Sequence, residues 1–250
     1  MASVKMRPDS LENWYNYFQK NSTESGDIPW HIKNDLSSVE KSLIAKSIAT
    51  FQLGEYSEGR HLLAFAEDYG RINESPHIVP VTKYFIAEEQ NHASLLKKFM
   101  AIHDLQLIQE NWTDSVFRRL RKHLGFEVSI TVLITAEMLA LVFYDALKEA
   151  TNSSLLKRIC EKILVDENSH VSYESELIEY IRSQQSVFAR VLARFAHRVL
   201  YSGTVLVVYF EHRRVIKHGG YNLGRFWFSS WGVFNKYFSP RRMTVSMADV

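Results

Sequence analysis

Apolar positions along the chain recur at helical spacing, and they divide it into a series of long predicted helices. Ser38-Val39-Glu40 opens a run with apolar residues at Leu43, Ile44, Ile48, Phe51 and Leu62, which predicts one helix from about Ser38 to Gly70. A second is predicted over residues 77–102. Residues 103–123 read as a crossover containing a short helix, Asp114 to Lys122. A third, over 125–150, is apolar nearly all round (Ile130, Val132, Leu133, Ile134, Leu139, Phe143), the pattern of a central helix. A fourth covers 153–183, and a fifth covers 186–217, stopped by Gly219-Gly220. A short helix, Leu11 to Lys20, and an irregular arm, Asn21 to Trp30, come before them. A strongly aromatic segment, Tyr221 to Phe238, follows, and the last dozen residues read as disordered. The predicted class is all-α. An N-terminal helix and arm occupy 1–35, a helical bundle 36–183, and a helical extension packed on that bundle 184–250.

Two of these helices carry the same short run. Phe85-Ile86-Ala87-Glu88-Glu89-Gln90-Asn91-His92 and Ile163-Leu164-Val165-Asp166-Glu167-Asn168-Ser169-His170 both contain Glu-x-x-His. Residues three apart on a helix share a face, so each run offers a carboxylate and an imidazole to one point. Each also has a glutamate upstream in an apolar stretch: Glu58 precedes Glu89 by 31 residues, and Glu137 precedes Glu167 by 30. In an antiparallel helix pair, residues equally far from the turn meet at equal height. The midpoints fall in Arg71-Ile72-Asn73-Glu74-Ser75-Pro76 and in Thr151-Asn152-Ser153-Ser154, both turn-forming. Each ligand then lies roughly 23 Å from its turn, at about 1.5 Å per residue. Four Glu and two His on facing helices form the donor set of a dimetal site in a helical bundle. Unpaired carboxylates in such apolar helices would be costly, which argues against an ordinary surface role.

Composition and charge refine this picture. An apolar share of 46% with 23% charged residues is that of a soluble globular protein, and 250 residues suffice for a sizeable core. The single cysteine, Cys160, excludes an intramolecular disulfide framework and suits a reducing compartment. Met1 to Pro8 lacks the apolar stretch of a signal peptide, and the longest apolar run, Val199 to Phe210, is short for a bilayer span. A cytoplasmic location is expected. Residues 185–250 hold ten Lys/Arg against Glu211 and Asp249, whereas 1–184 hold 20 basic against 26 acidic residues. The basic stripe reads as a solvated helix face or as an RNA, anionic-lipid or acidic-carrier surface, and the aromatic tail as a homodimer interface or membrane-surface contact.

The six donors, their spacing and the matched turns resemble the ferritin-like di-iron carboxylate superfamily, which includes ferritins, rubrerythrins, ribonucleotide reductase small subunits and soluble di-iron oxygenases. The resemblance spans roughly residues 38–183 and implies a ferritin-like four-helix bundle. It implies two iron ions, or a manganese–iron pair, held by Glu58, Glu89 and His92 from one half and Glu137, Glu167 and His170 from the other. Gly54-Glu55-Tyr56-Ser57-Glu58 holds two candidates, and Glu55 is the alternative or an outer partner. Metal-bound imidazoles usually donate their other N–H to a carboxylate, so Asp166 is expected to orient His92 and Glu88 to orient His170. His61, three residues after Glu58, is a candidate outer neighbour of the metals, with a hydrogen-bonded helix histidine as the favoured reading. Leu141 stands where some di-iron oxygenases have a Thr, and Leu96 where the reductase subunit has its radical Tyr, so radical generation of that kind is disfavoured. Tyr56, Tyr84, Tyr144 and Tyr173 are expected to pack. Met138, Leu141 and Val142 beside Glu137 predict an apolar substrate pocket. The expected activity is a dioxygen-activating oxidoreductase that draws on an external electron donor and acts on an apolar small molecule or acyl chain. The alternative is a ferroxidase or iron-handling protein.

Overall fold

The computed structural model describes residues 8–22, 27–33, 35–56, 59–112 and 125–238. These residues form helices and no strands: α1 (Pro8–Asn21), α2 (Ser38–Tyr56), α3 (Arg60–Ile72), α4 (Ile78–Ile102), α5 (Gly125–Glu149), α6 (Ser154–Ser183), α7 (Val187–His218) and α8 (Leu223–Phe238). The predicted short helix over 114–122 and the last dozen residues lie outside the described residues.

The single helix expected from Ser38 to Gly70 is two helices. The chain breaks at Gly59, which has φ 136°, a conformation that side chains with a Cβ rarely adopt. A Cβ there would also stand 2.9 Å from Ile86 Cγ2, so α4 approaches too closely for another residue. Helix starts elsewhere follow from local chemistry. Ser37 and Glu40 exchange bonds with each other's backbone N–H at the start of α2, as in a capping box. Glu40 also accepts from Asn152 N at 2.7 Å, tying α2 to the α5–α6 turn. Ser153 and Ser186 cap α6 and α7.

Helix α5 is buried along almost its whole length, as its all-round apolar pattern requires, and packs against α3, α6, α7 and α8. Helix α2 reaches it through Phe51, stacked on Phe143 with ring centroids 3.6 Å apart. Helices α2 and α4 pack together, and α4 meets α6 across the interior. The core falls into two apolar clusters. One gathers α1, α3, the first half of α4 and the last third of α6, around Phe18, Phe85, Ile130 and Leu177. The other gathers α2, the end of α4, most of α5 and the start of α6 with α7 and α8. On α4, α5 and α6 the residues between the clusters include Glu89, His92, Glu137, Glu167 and His170, all buried. A polar layer therefore crosses the molecule at the seam of its core.

The aromatic segment after α7 is a helix that turns Phe226, Ser230, Phe234 and Tyr237 inward against α5, α6 and α7. Tyr201 donates to the Ser230 carbonyl at 2.7 Å. The α7–α8 turn needs glycine at 219, because a Cβ there would lie 2.0 Å from the Ala146 carbonyl oxygen of α5.

Candidate metal centre

The helical repeat places Glu89 and His92 on the inner face of α4, and Glu167 and His170 on that of α6. Glu137 comes from α5 and Glu55 from the last turn of α2. They form two overlapping groups, Glu55, Glu89, His92, Glu167 and Glu89, Glu137, Glu167, His170, each with donor atoms within 4.8 Å of one another. Glu89 and Glu167 belong to both groups. His92 Nδ1 lies 3.4 Å from Glu167, 3.7 Å from Glu89 and 3.8 Å from Glu55. His170 Nδ1 lies 2.9 Å from Glu89, 3.6 Å from Glu167 and 3.7 Å from Glu137.

The outer nitrogens are tied across the helix pair. His92 Nε2 meets Asp166 Oδ2 at 3.0 Å, and His170 Nε2 meets Glu88 Oε2 at 2.8 Å. Each contact places a carboxylate to accept a hydrogen bond from Nε2, so Nδ1 is the nitrogen that would face a metal ion at the centre. Lys162 grips both oxygens of Asp166, at 2.6 and 2.5 Å. Asn21, at the end of α1, donates to Glu88 at 2.5 Å. Phe18 and Phe85 flank the His170 ring. The N-terminal helix thus closes one side of the centre.

The inner atoms are left over. Glu89 Oε1, His92 Nδ1, Glu137 Oε2, both Glu167 oxygens and His170 Nδ1 are buried and make no hydrogen bond among the described residues. Buried polar atoms without partners are costly, and six of them converging on one point could hold a cation. The electrostatics agree. Burial, with Glu55 and Glu167 alongside, pushes the Glu89 carboxyl well up. Burial pulls both imidazoles down, but the carboxylates around them outweigh it and hold each well above the usual histidine range. Burial likewise raises Asp166, yet His92 and Lys162 bring it down to about 2, so it stays a charged acceptor. The centre strongly favours positive charge, and its nitrogen and oxygen donors suit divalent transition metals.

Glu58 lies outside the described residues, and Glu55 is the carboxylate that α2 brings to the cluster. Counting equal distances from the turn favours Glu58 because it treats 38–70 as one helix. The structure has two helices over this stretch, α2 ending at Tyr56 and α3 starting at Arg60, so the count is not continuous there. His61 is exposed on the first turn of α3 and belongs to neither donor group, because the break at Gly59 resets the helix phase. Tyr144, expected only to pack, donates to Glu55 Oε1 at 2.6 Å. Its position seven residues after Glu137, two turns along one face of α5, was the available signal. Asn21 gave none, since its contact depends on how α1 folds back.

Leu141 and Val142 line an open groove of about 340 Å³ with Leu164, Asn168, Tyr221 and Val233. Met138 is fully buried in the apolar core and does not line it. Leu141 lies one turn after Glu137 and Leu164 three residues before Glu167, so the groove runs beside the segments of α5 and α6 that carry these two carboxylates. Comparison with known proteins finds no matching family model, no matching curated protein and no matching solved structure.

Proposed function

We propose that this chain is a non-haem dimetal oxidoreductase, built on a four-helix bundle of the ferritin-like di-iron kind from α2, α4, α5 and α6. In this reading it uses dioxygen and an external reductant to oxidise an apolar small molecule or acyl chain. The observation that carries it is the set of six buried, unpartnered donor atoms converging from Glu89, His92, Glu137, Glu167 and His170. Four carboxylates, counting Glu55, balance the charge of two divalent ions.

Glu55 and His92 would hold one ion, Glu137 and His170 the other, with Glu89 and Glu167 shared between them. Two bound iron ions would supply the electrons and Lewis acidity for reducing dioxygen. The chain's own part is positional. Asp166 and Glu88 hold the Nε2 protons and fix both imidazole planes. The Tyr144 hydroxyl holds Glu55 Oε1, which keeps one carboxylate oxygen turned from the centre. Phe18, Phe85 and the core around Met138 exclude water, which protects oxidising species from side reactions. The groove beside Leu141 and Leu164 supports an apolar substrate over an iron store, because iron oxidation needs no such surface.

Anaerobic reconstitution with Fe²⁺, metal analysis and then exposure to oxygen test this reading. The expected result is two ions per chain, oxygen consumption without mineral growth, and faster consumption with fatty-acyl or other apolar substrates. A hollow multimer that takes up many iron atoms per chain would establish the ferroxidase reading instead.

A further inference from the structure

Helix α7 has two faces rich in large side chains, and among the described residues only one is covered. Its inner face carries His197, Tyr201, Thr204, Val205, Tyr209 and His212 into the core. Its outer face presents Val187, Phe188, Val191, Phe195, Val199 and Phe210, each more than half exposed. Single exposed apolar residues need no explanation, but a row along one helix face does. From 187 to 210 the row is about 35 Å long at the helical rise.

We propose that this outer face of α7 rests on an anionic membrane surface, with the helix axis parallel to the bilayer. Charge selects the occupant. Residues 187–238 contain eight Lys/Arg and one acid, Glu211, which is already paired with Lys46 at 2.7 Å. Arg190, Arg198, Arg213, Arg214 and Lys217 make no ion pair among the described residues, and they sit before and after the uncharged stretch Val199–Phe210. Their long stems reach from beside an embedded apolar row to lipid phosphates. A second copy docked face to face would instead oppose cations to cations.

The helix lies on the bilayer and does not cross it. By length and composition both α5 and α7 qualify as spans, but the α5 window is 72% buried in the protein and that of α7 only 22%. Crossing would tear hydrogen-bonding side chains of the inner face of α7 from their partners: Tyr201 from the Ser230 carbonyl, His212 from Ser47 at 3.0 Å, and His197 from Arg182. A one-sided apolar row with flanking bases is the pattern of an interfacial helix. This inference does not depend on the metal chemistry.

Flotation of the metal-loaded full chain with vesicles tests it, using phosphatidylcholine alone or mixed equally with phosphatidylserine. The chain should float with the anionic vesicles, less so as salt rises, and only weakly with the neutral ones. Arg213→Gln with Arg214→Gln should weaken partitioning roughly 30-fold, about fivefold for each basic side chain lost near the surface. Phe188→Glu with Phe195→Glu should abolish flotation while metal content and melting temperature stay unchanged, since both side chains are exposed. Failure to float with either vesicle overturns the proposal, as does flotation unaltered in both variants. A stable dimer that the Phe188/Phe195 variant dissociates, without vesicle binding, would assign the face to a second copy.

Discussion

The two helix pairs that meet at the centre contribute the same residue types from differently built scaffolds. Helices α5 and α6 are continuous, with one short turn, and bring Glu137, Glu167 and His170 from within unbroken helix. The partner pair is interrupted: α2 ends at Tyr56, one residue after Glu55, and α3 restarts at Arg60. The imidazole supports cross between the halves: Asp166 of α6, gripped by Lys162 on the same helix, holds His92 of α4, and Glu88 of α4 holds His170 of α6. The interrupted half borrows its supports. Tyr144 of α5 holds Glu55, Asn21 of α1 holds Glu88, and His212 of α7 holds Ser47 of α2. Equivalent ligands thus do not imply equivalent rigidity, and the α2 side is the more easily loosened.

The largest effects test which carboxylates are shared. Glu89→Ala and Glu167→Ala should each abolish binding of both ions, since each belongs to both donor groups. Glu137→Ala and Glu55→Ala should each leave one ion, measured by metal analysis after anaerobic Fe²⁺ loading. Glu58→Ala should keep both; loss of metal there with retention in Glu55→Ala would reverse the assignment on α2.

Next come the carboxylates behind the imidazoles. Asp166→Ala should weaken metal binding at the upper end of about 10–100-fold, the usual cost of losing such a partner, and Glu88→Ala at the lower end. The difference follows from burial and partners: Asp166 is 1% exposed and gripped by Lys162, Glu88 is 7% exposed and backed by one amide. Equal losses in competition titrations with a chelator would erase the asymmetry between the halves.

The residue pattern made the α5–α6 half legible because nothing interrupts its helical count: turn and donor spacing follow from 3.6 residues per turn, and the Asp166–His92 pairing follows from the need of a metal-bound imidazole for a carboxylate partner. On the α2 side the same count favours Glu58, which lies outside the described residues, whereas the structure brings Glu55 to the cluster; the count runs across the break between α2 and α3, where Gly59 has φ 136°. Supports that depend on tertiary return, such as Asn21 from α1 and Ser47 facing His212, leave no periodic trace. The outward row on α7 is present in the sequence, but which of its two faces is covered depends on where α5 and α8 lie.

Tyr144→Phe sharpens the point about borrowed support. It removes one buried hydrogen bond and leaves Glu55 Oε1 without its donor, a loss of about 1–3 kcal/mol. Chemical denaturation of the metal-loaded protein should register that loss, while the ion held by Glu137 and His170 exchanges at its original rate. Equal acceleration of both ions would mean that Tyr144 supports the centre as a whole.

The smallest effect concerns the α7–α2 support. Burial, opposed by Glu211 and aided by Lys46, brings His212 down to about 4 from the usual 6.5, so the folded protein keeps this imidazole neutral at its bond with Ser47. The folded pKa is depressed, so the unfolded chain takes up a proton first as pH falls. Stability is therefore unaffected above 6.5 and declines between 6.5 and about 4, by about 1.4 kcal/mol one unit below 6.5. His212→Gln keeps a hydrogen-bonding side chain toward Ser47 but cannot titrate, so the variant should lose this share of the acid sensitivity. His197, brought down to about 3 chiefly by burial, contributes a separate share that the substitution leaves in place. Measuring denaturation midpoints of both proteins across this range, at equal metal loading, isolates the difference from protonation of the metal ligands. Parallel pH profiles would show that α7 does not hold the interrupted half through His212, and that α2 is supported by Tyr144 and its packing against Phe143 alone.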